Sequence, residues 1–371
     1  MADIKLQEKI SEIEKEIRET PCHKGTEHHI GLLRARLAKL RTDYYQTASS
    51  GGGGGRGYAV RKQGDATVAI VGPPSVGKST LLNLFANTSS LVGSYDFTTT
   101  QVVPGMMNLN GARIQFFDLP GLIDEGSLGK GGGKKILSVA RVADLFLLIT
   151  DKDNFPKFIK ILNELFKAGF RLNMPIPKIG IRKTLRGSVR LVDPFSSFPK
   201  EMIRKIAEEF GYKNAEIVFK EKITNLGMVI DAFLSNRRYL PAVFVINKSE
   251  TLSEKAKIAL LKDSPFKEDN LVFISAHENL GIDQLKELLW QKLEFARVYL
   301  KKGENLVPDN KPLIISKGTS IAKMIGKINS DWEGLVTSAL VWGKKVKFSG
   351  QKVSLNYQPE DEDIVYLIKK F

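Results

Sequence analysis

The sequence has a single cysteine, Cys22, among 371 residues. One thiol excludes an intramolecular disulfide and a cysteine-based zinc cluster, and such low cysteine usage is typical of a protein from a reducing compartment. No apolar run approaches the roughly 20 residues that a membrane-spanning helix requires. Residues 1–20 alternate in charge and lack the apolar stretch of a secretory signal. We therefore expect a cytoplasmic protein without a membrane partner.

Acidic residues are outnumbered, since the chain has 41 Asp and Glu against 56 Lys and Arg, a formal net charge of +15. The excess is uneven, because residues 152–240 hold 18 Lys and Arg against 9 Asp and Glu and so carry +9 of that charge. A local excess of this size favours a nucleic-acid partner. A solvated basic surface without a partner is the alternative.

One segment dominates the interpretation of the sequence. Residues 72–80 fit G-x-x-x-x-G-K-[ST], the pattern of a phosphate-binding loop. A strand is predicted just before it, over residues 65–71, and a helix just after it, which is the context that the motif requires. The loop N–H groups and the helix N-terminus would point at a polyphosphate, Lys78 would neutralise its β and γ oxygens, and Ser79 would bind Mg²⁺. The predicted nucleotide contacts in this loop are Gly72, Pro73, Pro74, Ser75, Val76, Gly77, Lys78, Ser79 and Thr80.

Two further loops are candidates for sensing a γ-phosphate. Residues 95–100 form a threonine-rich loop in which a hydroxyl could join Mg²⁺ and the γ-phosphate, although an ordinary connection is the alternative. Asp118 and Gly121 form a D-x-x-G motif after a strand predicted over residues 112–117. Asp118 would hold Mg²⁺ through water, and the N–H of Gly121 would meet the γ-phosphate. The basic, glycine-rich residues 127–135 are predicted to rearrange with nucleotide state.

Two more predicted strands, over residues 240–246 and 271–274, end in loops that are typical of guanine recognition. In the first loop, Asn247 would contact the edge of the base and Lys248 would cover its ring. In the second loop, the backbone at Ala276 would meet the guanine oxygen. The predicted base contacts are Asn247, Lys248, Glu250, Ser275, Ala276 and His277.

Glu250 stands where the guanine-reading loop of small GTPases usually carries an aspartate. A carboxylate at this position accepts hydrogen bonds from guanine N1–H and N2–H₂, which adenine cannot offer. Glu250 keeps the charge, but its side chain is one methylene longer. We expect guanine preference to survive, with lower affinity, if the loop retracts slightly.

Composition and periodicity predict an α/β protein made of several segments. The predicted boundaries are an N-terminal helical hairpin over 1–46, a glycine-rich joint over 47–60, a nucleotide domain over 61–167 and 236–300, an inserted basic α+β domain over 168–235, and a β-grasp unit over 301–371. The hairpin is either an RNA- or partner-docking arm or a hairpin packed on the main domain.

Some finer expectations concern the second half of the chain. The insert carries arginines that suit phosphate-backbone contact, but it has no aromatic series for base stacking, so sequence-specific RNA recognition is not supported. A helix over residues 281–300 is predicted to close the nucleotide domain. The last unit is predicted to follow a β-α-β-β-β order, with one of its strands over residues 346–348.

With these loops placed, the chain resembles the developmentally regulated GTP-binding protein family, within the Obg-related GTPases. The resemblance spans nearly the whole chain and rests on residues 26–33 with 37–40, the five glycines 51–55, residues 74–80, Phe97-Thr98-Thr99, Asp118-Leu119-Pro120-Gly121, the insert, and residues 339–343 and 361–363.

The resemblance implies a P-loop GTPase domain with a mostly parallel sheet and helices on both faces, a helical N-terminal domain, a ribosomal-protein-like insert and a C-terminal TGS domain of β-grasp type. It implies association with ribosomes or translation. It also implies that Thr99 is the switch threonine on Mg²⁺, with Phe97 and Thr98 beside it in the GTP site. Glu250 stands where members of this family usually carry an aspartate.

The predicted reaction is hydrolysis of GTP to GDP and phosphate, with Lys78, Thr99 and Gly121 as the catalytic set. Many GTPases orient the attacking water with a glutamine directly after D-x-x-G, and here that residue is Leu122. We therefore expect slow hydrolysis that is raised by the ribosome, by a small regulatory partner protein or by a monovalent cation such as K⁺.

Three other functions stay open at this point. The chain could be an ATP-using P-loop enzyme, an RNA- or ribosome-binding adaptor in which nucleotide is mainly structural, or a GTPase without an RNA partner. No residue stands out in the sequence as a catalytic base.

Overall fold

The computed structural model describes residues 2–23, 25–50, 62–87, 104–118, 140–195, 197–234, 236–265, 267–303 and 306–370. The chain divides into two compact units. The first unit comprises residues 1–59, 121–141 and 156–240, and the second comprises residues 60–120, 142–155 and 241–371.

The regular elements are numbered in chain order. The helices are α1 Ala2–Glu19, α2 Glu27–Ser50, α3 Lys78–Asn87, α4 Phe155–Lys167, α5 Lys200–Glu209, α6 Leu226–Ala232, α7 Glu254–Asp263, α8 Ile282–Leu293 and α9 Ile321–Ile328. The strands are β1 Ala66–Val71, β2 Pro104–Leu109, β3 Ala112–Asp118, β4 Leu145–Thr150, β5 Phe170–Leu172, β6 Ile179–Lys183, β7 Val189–Val192, β8 Ala215–Phe219, β9 Arg238–Leu240, β10 Ala242–Ile246, β11 Leu271–Phe273, β12 Phe295–Lys301, β13 Leu313–Ser316, β14 Val336–Trp342, β15 Gln351–Val353 and β16 Ile364–Lys369.

The second unit is built on a six-stranded sheet with the order β11-β10-β4-β1-β3-β2. The four pairings from β11 to β3 are parallel, and only β2 runs antiparallel. Strands β1, β4 and β10 are buried along their whole length, as expected for continuous apolar runs in a parallel sheet. The predicted α/β class with a mostly parallel sheet is confirmed.

Strand β2 was not predicted, although the sequence contains a signal for it. Its link to β3 is the pair Asn110-Gly111, and both residues have positive φ angles, +50° and +88°. Asn-Gly between two apolar runs is the strongest short-range hairpin signal, because a two-residue turn of this type needs positive φ at both positions. The proline and glycine at the start of β2 hid the strand pattern.

A second sheet of this unit has five strands in the order β13-β12-β16-β14-β15. The helix predicted over residues 281–300 is too long, because α8 ends at Leu293 and Glu294 takes a left-handed conformation with φ +50°. Residues 295–301 form β12 instead, so the expected domain boundary at 300/301 falls inside that strand. The aromatic and β-branched residues of β12 favour a strand.

The prediction of a strand over residues 346–348 is also wrong. Those residues form bends, and the corresponding edge strand is β15, which pairs with β14. Over residues 312–371 the order of elements is nevertheless the predicted β-α-β-β-β, formed by β13, α9, β14, β15 and β16, and β12 adds one strand before it. Helix α9 packs on one face of the sheet through Ile321, Met324 and Ile325.

In the first unit, α1 and α2 form the predicted hairpin, and a three-stranded sheet has the order β6-β8-β7. Helix α2 packs on α5 and α6, with Ala35 in the same core as Ile206 and Ile230. Arg36 donates to Glu209 at 3.1 Å. The hairpin therefore contacts the inserted segment, which neither sequence alternative anticipated. Helix α2 also continues to Ser50, into the predicted glycine-rich joint, because the run of glycines begins only at residue 51.

The first unit also contains a buried ion cluster. Arg171 Nη2 donates to Asp231 Oδ1 at 2.8 Å, and Arg237 Nε donates to the same oxygen at 2.7 Å. The side chains of all three residues are only 5% exposed. Burial raises the pKa of the neighbouring Tyr239 to about 12, and the charge of Asp231 adds to that rise.

Removing the carboxylate from this cluster should destabilise the first unit. Asp231→Ala leaves two buried guanidinium groups without their anion, so we expect the free energy of unfolding to fall by about 3–5 kcal/mol, as measured by urea denaturation. The matched control is Glu216→Ala, which removes a carboxylate from the largely exposed Arg182 and Arg190 and should cost about 1 kcal/mol or less. Equal effects of the two substitutions would contradict this expectation.

Candidate nucleotide-binding site

The phosphate loop connects β1 to α3, as predicted. Gly77 has φ +95°, and Ser75 is left-handed with φ +62°. A Cβ on Gly72 would collide with the carbonyl oxygen of Ile149, and a Cβ on Gly77 would collide with the Asn247 side chain. Both glycines are therefore required by protein atoms packed against the loop, in addition to any need for access by a ligand.

Lys78 is the first residue of α3, and its side chain folds back over the loop. Its ammonium donates to the carbonyl oxygens of Gly72 at 3.1 Å and Pro73 at 2.8 Å. Burial lowers the pKa of Lys78, and the charge of Asp118 opposes that shift. The ammonium thus lies inside the loop, where a polyphosphate could exchange with the two carbonyl groups.

Asp118 is the last residue of β3, and it is buried. Burial raises its pKa, and the charge of Lys78 opposes that rise. Its Oδ1 atom is buried without a hydrogen-bond partner among the residues that the structure describes. A buried carboxylate oxygen without a partner is costly, and it fits a Mg²⁺-bound water beside the exposed Ser79 at the start of α3.

Asn247, directly after β10, is the side chain that joins three loops. Its Nδ2 donates to the Val76 carbonyl oxygen of the phosphate loop at 2.8 Å. Its Oδ1 accepts from the N–H of Ala276 at 2.9 Å. That N–H is the group predicted to meet the guanine oxygen, and in the structure it is bonded to Asn247 instead. A carboxamide NH₂ has two donors, so one N–H of Asn247 is left for a ligand.

Lys248 follows in a left-handed conformation with φ +59°. Its ammonium lies 2.6 Å from Asp151 Oδ2 and 3.1 Å from the Ser75 carbonyl oxygen. Asp151 also accepts from the backbone and side chain of Asn154, at 3.0 and 2.8 Å. The stem of Lys248 is therefore stretched along the phosphate loop.

Asp151 is a site residue that the sequence analysis missed. Burial would raise its pKa, but hydrogen bonds from Lys248 and Asn154 outweigh burial and hold the pKa below its usual range. A carboxyl group with a lowered pKa stabilises the fold above the unfolded pKa, and this contribution disappears only as the pH falls through the folded value. The position of Asp151 in the sequence could have identified it, because an acid directly after the buried strand β4 lies at the edge where parallel sheets bind ligands.

The structure brings together the phosphate loop, Asp118, Asn247 and Lys248 at the carboxyl ends of β1, β3 and β10. Ser275 is buried beside Ala276, and its Oγ accepts from the Glu278 N–H at 3.1 Å. Glu250 lies in the short helix Ser249–Thr251, and both Glu250 and His277 are exposed. Predicted residues outside the described part of the chain are Phe97, Thr98, Thr99 and Gly121, together with residues 127–135.

The arginines predicted to contact phosphate lie partly on the three-stranded sheet of the first unit. Arg182 on β6 and Arg190 on β7 flank Glu216 on β8, at 2.8 and 3.7 Å. All three strands are in register at this point.

Within the described ranges, no helix is long and apolar enough to cross a bilayer.

Comparison with known proteins gives consistent matches. Residues 67–176 match the model of a family described as 50S ribosome-binding GTPase, and residues 186–295 match the model of the C-terminal region of that domain. A GTP-binding protein of Methanocaldococcus jannaschii is 39% identical over 98% of this chain and 93% of its own length. Developmentally-regulated GTP-binding protein 2 of Homo sapiens is 37% identical over 98% of this chain and 99% of its own length. Among solved structures, the YchF GTPase of Schizosaccharomyces pombe is 16% identical, with 83% of this chain and 99% of that chain covered and a TM-score of 0.46.

The pair formed by Asp151 and Lys248 should affect nucleotide affinity. Asp151→Asn removes the charge that holds the lysine, so we expect GDP to bind roughly tenfold more weakly in a fluorescent-nucleotide displacement assay. Lys248→Ala combined with Asp151→Asn should cost less than the sum of the single effects, because the two side chains act together. Asp153→Asn, an exposed neighbour, is the matched control. Additive effects would show that the pair does not act as a unit.

Proposed function

Because this chain belongs to the developmentally regulated GTP-binding protein family, we propose that it is a slow GTPase whose nucleotide state controls its association with ribosomes. The family binds GTP, and as P-loop GTPases its members hydrolyse GTP in general. The observation that carries the proposal is the pair of hydrogen bonds by which Asn247 holds the phosphate loop at Val76 and the second base loop at Ala276.

The phosphates of GTP are assigned to residues 72–80. Lys78 would exchange its bonds to Gly72 and Pro73 for bonds to the β and γ oxygens, which replaces two neutral acceptors with charged ones. Ser79 would bind Mg²⁺ directly, and Asp118 would bind it through water. Bound Mg²⁺ neutralises the charge that develops on the phosphate oxygens. The proposed catalytic set is completed by Thr99 and Gly121.

The guanine base is assigned to the loops after β10 and β11. The remaining N–H of Asn247 would donate to the base edge, Lys248 would cover the ring, and the exposed carboxylate of Glu250 would accept from N1–H and N2–H₂. Ser275, Ala276 and His277 would line the other side. The longer side chain of Glu250 is expected to lower affinity without reversing the preference for guanine.

The proposed partner is the ribosome or its RNA. The family model that matches residues 67–176 is described as a 50S ribosome-binding GTPase. The charge excess of residues 152–240, 18 Lys and Arg against 9 Asp and Glu, independently favours an anionic partner. An adaptor in which nucleotide is only structural, and an ATP-using enzyme, are the alternatives that the following experiments exclude or support.

Base selectivity tests the assignment of the guanine site. We expect GTP to displace a fluorescent guanine nucleotide at concentrations at least roughly a hundredfold below those of ATP, since a site built to hydrogen-bond a group rejects the analogue without it. Glu250→Asp should tighten GTP binding, and Glu254→Asp, an exposed acid in α7, should not. Equal competition by ATP would favour the ATP-using enzyme.

Turnover of GTP with and without ribosomes, in K⁺ and in Na⁺, tests the switch. We expect the isolated protein to hydrolyse GTP well below about one per second, because Leu122 cannot orient water, and we expect ribosomes or K⁺ to raise that rate. Co-sedimentation with ribosomes should weaken steeply with salt, because phosphate contacts release counterions.

Two outcomes would contradict the switch. Turnover of many per second by the isolated protein would show that no activator is needed. If Lys78→Ala left nucleotide-dependent co-sedimentation unchanged, the protein would be an adaptor rather than a switch.

A further inference from the structure

Strand β13 contributes side chains to two different hydrophobic cores. Ile314 is 4% exposed and belongs to the core of the six-stranded sheet, together with Leu109 and Ile114 of the β2–β3 hairpin. Ile315, the next residue, is fully buried in the core that the five-stranded sheet shares with α9. Because successive side chains of a strand point to opposite faces, β13 lies between the two cores. A displacement of β13 therefore disturbs the packing of both sheets.

The β2–β3 hairpin contacts this region with its turn. A Cβ added to Gly111 would lie 2.8 Å from Cγ of Pro312, the residue just before β13, and 3.9 Å from Cδ1 of Ile314. The first of these distances is shorter than a real Cβ atom adopts, so only glycine lets the turn approach Pro312 this closely. The turn is therefore fitted against the start of β13.

The other end of the hairpin lies at the candidate nucleotide site. Strand β3 runs from Ala112, beside the turn, to Asp118, whose Oδ1 atom has no hydrogen-bond partner among the described residues. The steps from residue 112 to residue 118, at about 3.3 Å each, separate the two ends by about 20 Å. The hairpin thus extends from the side chain proposed to hold Mg²⁺ through water to the contact with Pro312.

The hairpin is also packed against the helix of the phosphate loop. Every residue of β2 pairs with β3, so the two strands form one continuous ladder. A Cβ on Gly105 of β2 would lie 2.8 Å from Cδ2 of Leu82 in α3, the helix that begins with Lys78. Packed side chains and rigid secondary elements carry coupling between distant sites. Both are present along the path from the phosphate loop to β13.

We propose that the β2–β3 hairpin couples the nucleotide site to the five-stranded sheet. Exchange of GTP for GDP then repositions β13, and the contact of the turn with Pro312 in turn sets the relative affinity for the two nucleotides. The coupling acts in both directions, because an arrangement of β13 that is favoured by one nucleotide must also favour binding of that nucleotide. The inference rests on the proposed function and adds the route by which nucleotide state reaches the five-stranded sheet.

Loosening the contact at the turn tests the coupling. Pro312→Ala removes ring atoms that face Gly111, and the matched control is Pro308→Ala in the same connection between β12 and β13. We expect Pro312→Ala to change the ratio of the affinities for GDP and a non-hydrolysable GTP analogue about threefold or more, and Pro308→Ala to change it less than about 1.5-fold. The measurement is displacement of a fluorescent guanine nucleotide in the presence of Mg²⁺. A purely structural role of Pro312 would weaken both nucleotides equally and leave the ratio unchanged.

Hydrogen exchange of the full chain gives a second measurement. Amide exchange in residues 295–301 and 313–316 should differ about threefold or more between the GDP-bound and the analogue-bound protein. This difference should disappear in Pro312→Ala and persist in Pro308→Ala. Unchanged protection of β1 in each variant verifies that the six-stranded sheet stays folded. If Pro312→Ala loses that protection, the comparison of the two nucleotide states in the unchanged chain decides the question by itself.

The outcomes separate this inference from the proposed function. If both nucleotides bind but β12 and β13 exchange alike in the two states, the coupling is absent and the proposed function stands. An affinity ratio that Pro312→Ala leaves unchanged in a folded chain likewise overturns the coupling alone. If neither nucleotide binds to the unchanged chain, the proposed function fails and this inference fails with it.

Discussion

The candidate site depends on one buried carboxamide. Asn247 bonds the phosphate loop through Val76 and the second base loop through Ala276, at 2.8 and 2.9 Å. It also occupies the space that any side chain larger than hydrogen at Gly77 would need. Three segments far apart in the sequence are thereby held in one geometry, and a buried group that loses either bond would be left with an unsatisfied polar atom. Hydrogen bonds within the protein thus hold the loops of the candidate site in place.

Charge is used in two different ways in this protein. In the first unit, Asp231 is buried between Arg171 and Arg237. Its carboxylate stabilises the fold only as long as both arginines remain paired with it. At the candidate site, Lys78 is half-buried and Asp118 is buried. Burial lowers the pKa of Lys78 and raises the pKa of Asp118, so that it favours the neutral form of each side chain. Groups that are partly desolvated and incompletely paired are suited to interact with a charged ligand.

Much of the fold was accessible from local pattern. The buried strands β1, β4 and β10 are continuous apolar runs, and the phosphate loop is a motif whose flanks confirm it. The predictions that failed concern elements whose ends or pairing depend on contacts with distant parts of the chain. The end of α8 depends on a left-handed Glu294, a conformation that glutamate does not favour, so no capping residue in the sequence marks the helix end there. The pairing of β15 likewise depends on its neighbour β14, not on the apolar residues that precede it.

The sequence by itself determined the P-loop architecture, the charge excess of residues 152–240 and the family, because motifs, composition and strand periodicity are local properties of the chain. Only the tertiary structure decided that Asp151 holds Lys248, that α2 packs on α5 and α6, and that the turn at Gly111 contacts Pro312. Gly111 and Pro312 are far apart in the chain, so no stretch of sequence contains both. Their proximity is a consequence of the way the two sheets of the second unit pack, which depends on long-range contacts rather than on the identity of neighbouring residues.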